Sequence, residues 1–171
     1  MSEKEECKVL FKNKNSLDLR DFNMTDRWLK SNKPPPNQPK TFCWGDCRCG
    51  NILYKNFIPQ ALLDWEMASL GNPIMDLAWG IAIDDTNSLG LNTLRLEGCP
   101  NQDDTIERWI FNTGFNSDYY SYYRVLALFK FSIIMVMTSR KMITAGFLPS
   151  DSDYYVNNHV TEYLNSEMEK I

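Results

Sequence analysis

Residues 41–80 read TFCWGDCRCGNILYKNFIPQALLDWEMASLGNPIMDLAWG, and the oxygen-bearing side chains in this stretch constrain the fold more than any other part of the chain. Asp46 follows Gly45, Asn51 comes five residues later, and Asp64 comes thirteen after Asn51. The segments around them are β-prone: Thr41–Trp44 before, Ile52–Tyr54 between, Ala61–Leu63 after. A loop that presents Asp46 and Asn51, opposite a strand end that presents Asp64, gathers three oxygen donors about one point. A carboxylate can accept a proton from an alcohol, and an amide oxygen with a carboxylate can hold magnesium. Singly, each residue has a plainer reading. An aspartate after glycine is commonly a turn residue, and one that closes an apolar run commonly caps a helix or a turn. The joint spacing favours a site for Asp46, Asn51 and Asp64.

Around this centre the chain reads as one α+β domain, mostly helical. Residues 1–23 are mixed and charged, with a short apolar patch at Val9–Phe11, and are expected to be loosely ordered. Thr25–Lys30 reads as a helix end with Trp28 and Leu29 facing inward. Lys33–Pro39 carries four prolines and must be an extended connector. A helix is expected from about Pro73 to Ile83, then a polar loop over residues 84–98. Asn101 and Asp104 frame the next helix, with Ile106, Trp109 and Ile110 at helical spacing and Gly114 as its stop. Asp118–Met142 is apolar around most of its circumference and reads as a central buried helix. Tyr123, Leu126 and Phe129 are expected among its least exposed side chains. Ser152 or Asp153 is expected to open a last helix with Val156, Val160, Tyr163 and Leu164 inward.

The formal charge of −4 provides no basic field for nucleic acid. Five cysteines leave at least one unpaired and do not suggest a disulfide framework. Met1–Lys8 is charged and shows no secretory pattern. The longest apolar run, Val125–Met137, is interrupted by Lys130 and falls short of the roughly 20 residues a bilayer needs. The expectation is an intracellular, cytoplasmic protein without a membrane span. Cys43, Cys47 and Cys49, with the single histidine His159, offer an alternative metal–thiolate site, although C-x3-C-x-C is not a familiar zinc spacing.

The stretch resembles the phosphotransferase core of the aminoglycoside phosphotransferase/choline kinase group, whose members have a protein-kinase-like fold. The residues that carry the resemblance are Trp44-Gly45-Asp46, Asn51, Leu63-Asp64-Trp65-Glu66, Gly71-Asn72-Pro73 and Asp76-Leu77-Ala78. Trp44 stands where the group has histidine. The variant that runs from Trp44 through Arg48 and Gly50 to Asn51 is most similar to the domains fused to some acyl-CoA dehydrogenases. The resemblance implies that residues 24–171 form the C-terminal lobe of such a fold, with a short β-hairpin that carries the catalytic loop. Asp46 would be the catalytic aspartate, and Arg48 a basic group beside the transferred phosphoryl. Asn51 and Asp64 would hold Mg2+ under the phosphates of ATP. Glu66 would face substrate or brace the loop, and Asp76 would tie the loop down as a structural residue. The implied acceptor is a small molecule bearing a hydroxyl, a hydroxy acid or hydroxyacyl thioester. No glycine precedes Gly45, so no glycine-rich phosphate loop lies upstream in this sequence. The N-terminal lobe is therefore expected to be missing, or supplied by a fused or partner chain, and nucleotide affinity and turnover are expected to be weak. The competing reading is a non-catalytic binding or interaction module that retains the fold.

Overall fold

The computed structural model describes residues 18–171. Helix α1 (Asp18–Ser31) leads into the proline connector. The expectation for residues 1–17 lies outside the described residues, whereas residues 18–23, grouped with them in the sequence reading, are helical. Trp28 stacks on Tyr122 at 6.4 Å between ring centroids, and Leu29 is buried.

Four short strands follow in two antiparallel pairs. Strand β1 (Thr41–Cys43) pairs with β4 (Ser69–Gly71), Phe42 opposite Leu70. Strand β2 (Ile52–Lys55) pairs with β3 (Ile58–Leu62), Ile52 opposite Leu62. A 3₁₀ turn over Cys49–Asn51 joins the loop after β1 to β2. Strand β4 was not foreseen: Ser69-Leu70-Gly71 is too short to announce itself and exists because β1 needs a partner.

Helix α2 (Ile74–Ser88) starts where the Asn72 side chain accepts from the Ile74 amide at 3.0 Å. It outruns the expected end near Ile83, and residues 84–88 are helix, not loop. The reason is internal pairing. The Thr86 hydroxyl donates to the Ala82 carbonyl at 2.8 Å, the Ser88 hydroxyl to the Asp84 carbonyl at 2.6 Å, and Asp85 is buried in ion pairs. Polar residues that suggested a loop are those that finish the helix. Helix α3 (Gln102–Thr113) is capped by Asn101, which accepts from the Asp104 amide at 2.9 Å, and ends at Gly114 with φ +74°. Helix α4 (Tyr120–Thr144) is the long central element. Helix α5 (His159–Met168) starts later than expected. Asn158 is its N-cap, accepting from the amides of Val160 and Thr161, and the chain from Asp153 is turn.

The main core joins α2, α4 and α5 through Trp79, Ala82, Ala127, Leu128 and Leu164. A second cluster on α2, Ile74, Leu77 and Ile81, packs on Ile106 and Trp109 of α3. The expectation for α4 needs correction. Tyr123, Leu126 and Phe129 are only half-buried, while Val125, Leu128 and Ser132 are sealed. A helix apolar all round does not reveal which stripe its neighbours cover. Here α2 and α5 cover the stripe through Val125, Leu128 and Ser132. Phe129 packs at the edge of the main core and on Phe22 of α1, and Tyr123 and Leu126 line a small cavity of about 50 Å³ beneath the loop after β1. Among the described residues no helix is long and apolar enough to cross a membrane.

Candidate active site

The loop after β1 is held from below by helix α2. Asp76, in the first turn of α2, accepts from the Trp44 amide at 2.7 Å and the Gly45 amide at 2.8 Å, one with each carboxylate oxygen. A carboxylate there also suits the positive end of the helix dipole. Gly45 has φ +90°, and a Cβ on it would lie 2.2 Å from the Met67 carbonyl oxygen. Only glycine passes this point.

Asp46 comes next, and three donors fix its carboxylate. Asn51 Nδ2 donates to Oδ2 at 2.6 Å and Arg48 Nε to the same oxygen at 3.0 Å. The indole Nε1 of Trp79 donates to Oδ1 at 2.8 Å. Asn51 Nδ2 also reaches the Asp46 carbonyl at 3.2 Å. Burial pushes the Asp46 carboxyl up, but the hydrogen bonds from Arg48, Trp79 and Asn51, with the Arg48 charge, outweigh it and hold the group below the usual carboxylate value.

Asp64 is brought to the same loop by backbone pairing. The Leu63 amide donates to the Asn51 carbonyl at 2.8 Å, which extends the β2–β3 ladder by one step. The Trp44 indole donates to the Leu63 carbonyl at 2.8 Å. Residue 63 is thus tied both to Asn51 and to the residue two before Asp46, and Asp64 stands beside them. Asp64 has φ +60°, a left-handed conformation that aspartate tolerates better than most residues. Trp65 locks the bend from the other side: it stacks on Phe42 at 5.6 Å and donates to the Leu62 carbonyl at 2.8 Å. The Asp64 side chain is exposed and makes no hydrogen bond or ion pair with a described residue.

Arg48 is exposed and, among the described residues, pairs only with Asp46. Glu66 lies in the tight turn closed by the Ala68 amide on the Trp65 carbonyl, exposed and without a hydrogen bond or ion pair to a described residue. The thiols do not form a ligand set. Cys43 is buried against the Asn72 carbonyl, Cys47 is half-buried beside the Trp79 cluster, and Cys49 is exposed. Among the described residues no group of three or more His, Cys, Asp or Glu side chains is arranged to hold a metal ion. His159 stands at the start of α5, in another part of the fold. Burial pushes the Cys47 thiol up to about 11, so it is protonated at neutral pH.

Two residues that touch or flank Asp46 were not singled out from sequence. Trp79 follows Asp76 by three, the spacing that puts both on one helix face, and that spacing was a usable signal. Lys130 lies with its ammonium 4.8 Å from the centre of the Trp79 ring. Its signal was the single charge inside the long apolar run of α4, which the sequence reading weighed only against a membrane span.

Chemically, the site offers one oriented carboxylate, one basic side chain on it, and two oxygen donors with spare capacity, the Asn51 amide oxygen and the Asp64 carboxylate. A family model described as "Phosphotransferase enzyme family" matches residues 2–111. The protein named acyl-CoA dehydrogenase family member 11 in Gallus gallus is 34% identical over 64 residues, which cover 36% of this chain and 8% of that protein. Its namesake in Pongo abelii is 24% identical over 151 residues, 82% of this chain and 19% of that protein. A solved aminoglycoside phosphotransferase-like chain from Ralstonia eutropha JMP134 superposes with a TM-score of 0.66 at 17% identity, over 94% of this chain and 49% of that one. The α+β architecture is therefore that of an aminoglycoside phosphotransferase fold. The chain spans about half the length of this solved relative and under a fifth of these two dehydrogenase relatives.

Proposed function

The chain belongs to the phosphotransferase enzyme family, and on that premise we propose that it is the catalytic lobe of an ATP- and magnesium-dependent phosphotransferase whose acceptor is the hydroxyl of a small molecule, a hydroxy acid or hydroxyacyl thioester. The observation that carries the reading is the state of the polar groups around Asp46. The Asp46 carboxylate is fixed by three donors, while two oxygen groups of the same loop and hairpin, Asn51 Oδ1 and the Asp64 carboxylate, accept nothing from any described residue. Asn51 is 5% exposed, its Nδ2 is committed to Asp46, and its Oδ1 accepts nothing from a described residue, which leaves that oxygen open to a cation. A carboxylate and an amide oxygen are hard donors of the kind magnesium takes. Asn51 and Asp64 would hold the metal. Magnesium-nucleotide, when bound, supplies the transferable phosphoryl group.

The remaining work falls to the chain. Asp46 accepts the hydrogen bond of the acceptor hydroxyl and orients its oxygen for in-line attack. Arg48, exposed at the rim, lies beside the position where negative charge develops. Asp76 keeps the loop in place through two backbone amides. The apolar side chains on the hairpins fit the same reading. Phe42, Leu53, Phe57, Ile58 and Leu70 are all more than half exposed. In the proposed enzyme they face a second lobe, or a fused or partner chain, that closes over the nucleotide. The same strip also supports the second reading, a binding module that uses the hairpins to dock a partner and performs no transfer.

Turnover of magnesium-ATP with a panel of hydroxy acids, hydroxyacyl thioesters and amino alcohols separates the two. The catalytic reading expects phosphoryl transfer that falls by about a hundredfold or more in Asp46→Asn, slow for the chain alone. Asp64→Asn is expected to raise the magnesium concentration needed. Transfer that survives Asp46→Asn unchanged, or calorimetry that detects no magnesium-dependent nucleotide binding, would overturn it.

A further inference from the structure

Asp46 has a limited number of acceptor positions, and the structure shows how they are filled. An ionised carboxylate has about four lone-pair directions. On Oδ2 both are taken, by Asn51 Nδ2 and Arg48 Nε; on Oδ1 one is taken, by Trp79 Nε1. One acceptor position remains, on Oδ1, and the Trp79 indole decides where it points.

Trp79 is itself gripped from two sides. It is 5% exposed, and the Phe131 ring meets it edge-on at 5.9 Å and 63°. The Lys130 ammonium lies over its face at 4.8 Å, inside the range of a cation–π contact. Lys130 makes no hydrogen bond or ion pair with a described residue, and its ammonium rests on the indole face. Desolvation works against the charged form of Lys130 and lowers its pKa, whereas the more distant charges of Asp46 and Asp76 favour it. A half-buried lysine in this position needs a reason. A cation on the face of an indole draws electron density from the ring and makes its N–H a stronger donor. A donor strengthened in a partly buried site fixes its acceptor more firmly.

We propose that Trp79 and Lys130 are positioning residues for Asp46: Lys130 holds and polarises the Trp79 indole, and the indole N–H orients the Asp46 carboxylate so that the remaining lone pair of Oδ1 receives the acceptor hydroxyl. This deepens the phosphotransferase reading and rests on it. It also makes a claim about the free protein that is independent of turnover, namely that the Trp79 indole N–H is bonded to Asp46 and tuned by Lys130.

The test uses the full chain and two readouts. The first is the ¹⁵N–¹H signal of the Trp79 indole, identified by its loss in Trp79→Phe. It is expected at low field, to move upfield in Asp46→Asn, to move the same way by less in Lys130→Met, and to return in Lys130→Arg. The second is steady-state transfer. Trp79→Phe, which keeps the aromatic packing but removes the donor, is expected to lower kcat by about ten- to a hundredfold with KM changed less than about twofold. Lys130→Met is expected to lower kcat by less, with Lys130→Arg restoring it. An indole signal that ignores both Asp46→Asn and Lys130→Met overturns the proposal, whatever the activity. So does a Trp79→Phe enzyme with unchanged kcat. If wild type transfers nothing, the phosphotransferase reading fails, and the indole signal alone decides whether the contact works as described.

Discussion

The ion network around Asp85 and the hairpins around Asp46 treat their charged groups differently. In the network, charge is buried and closed on itself. Arg124 donates to Glu167 and to Asp85, each at 2.8 Å, and to the Tyr163 hydroxyl at 3.0 Å; Arg95 adds to Asp85 at 2.6 Å and also pairs with Asp84. Every one of these carboxylates has a partner. Around the hairpins, Asp64 and the Asn51 amide oxygen are left open, and large apolar side chains face outward. A closed network specifies packing and leaves nothing for a ligand to complete. An open set of donors beside exposed apolar surface is what a site and an interface look like before they are filled. The larger cavity of about 620 Å³, lined by Arg95, Arg124 and Glu167, illustrates the point: it is roomier than the cavity of about 50 Å³ beneath the loop that carries Asp46, yet its charged groups already satisfy one another.

The comparison breaks first at Arg124. Arg124→Leu leaves Glu167 without its buried partner and Asp85 with one fewer, and is expected to lower stability by about 3–5 kcal/mol in urea unfolding, whereas Asp64→Asn should change it by less than about 0.5 kcal/mol. Equal losses would show that both regions are scaffold. Gly45→Ala comes next. Its φ of +90° and the Met67 carbonyl where a Cβ would sit predict a loss of about 1–3 kcal/mol. The damage should be local: the Trp44 and Gly45 amides should exchange faster with deuterium, while those of α4 keep their protection.

Acid sharpens the contrast. Burial raises the Glu167 carboxyl, but hydrogen bonds from Lys170 and Arg124, and their charges, bring it below its ordinary 4.5. A carboxyl depressed by folding adds stability above that ordinary value and loses it as pH falls through its folded value. Stability should therefore be level near neutrality and decline below about pH 4.5. Glu167→Gln should flatten part of that decline and shift the acid midpoint by about half a pH unit or less. An unchanged acid transition would mean that the network is not held by charge. The smallest effect belongs to the hairpin surface. Phe57, 99% exposed, should be replaceable by serine at a cost under about 0.5 kcal/mol. If the strip docks a second lobe or partner, Phe57→Ser with Leu70→Ser should weaken self-association or partner capture, read by sedimentation, without moving the melting temperature.

The joint spacing in the sequence pointed to Asp46, Asn51 and Asp64, and the family resemblance added Asp76 as the residue that ties the loop down. What spacing could not show was contact across the fold. Trp79 reaches Asp46 from α2, and Lys130 reaches Trp79 from α4, elements far from the loop in sequence. The Asp85–Arg124 pair spans 39 residues, and it turned an expected loop into the last turn of α2. Burial on α4 was misassigned for a related reason. Tyr123 and Leu126 are as apolar as their neighbours, and only the position of the loop above them leaves a cavity there.

Helix α2 carries Asp76 and Trp79 near one end and Asp85 near the other. The nine residue steps from Asp76 to Asp85 span roughly 13.5 Å of rise. One rigid rod thus holds the loop amides, grips the Asp46 carboxylate and anchors in the ion network. A rod of that length is a lever. A tilt of about 4° about its network end would carry the loop end about 1 Å, a displacement that can cost an enzyme about a hundredfold in rate. In the proposed enzyme Arg124, at the far end of the lever from Asp46, is then an adjusting screw for the aim of Asp46, and its two salt bridges fix the angle at which the lever rests.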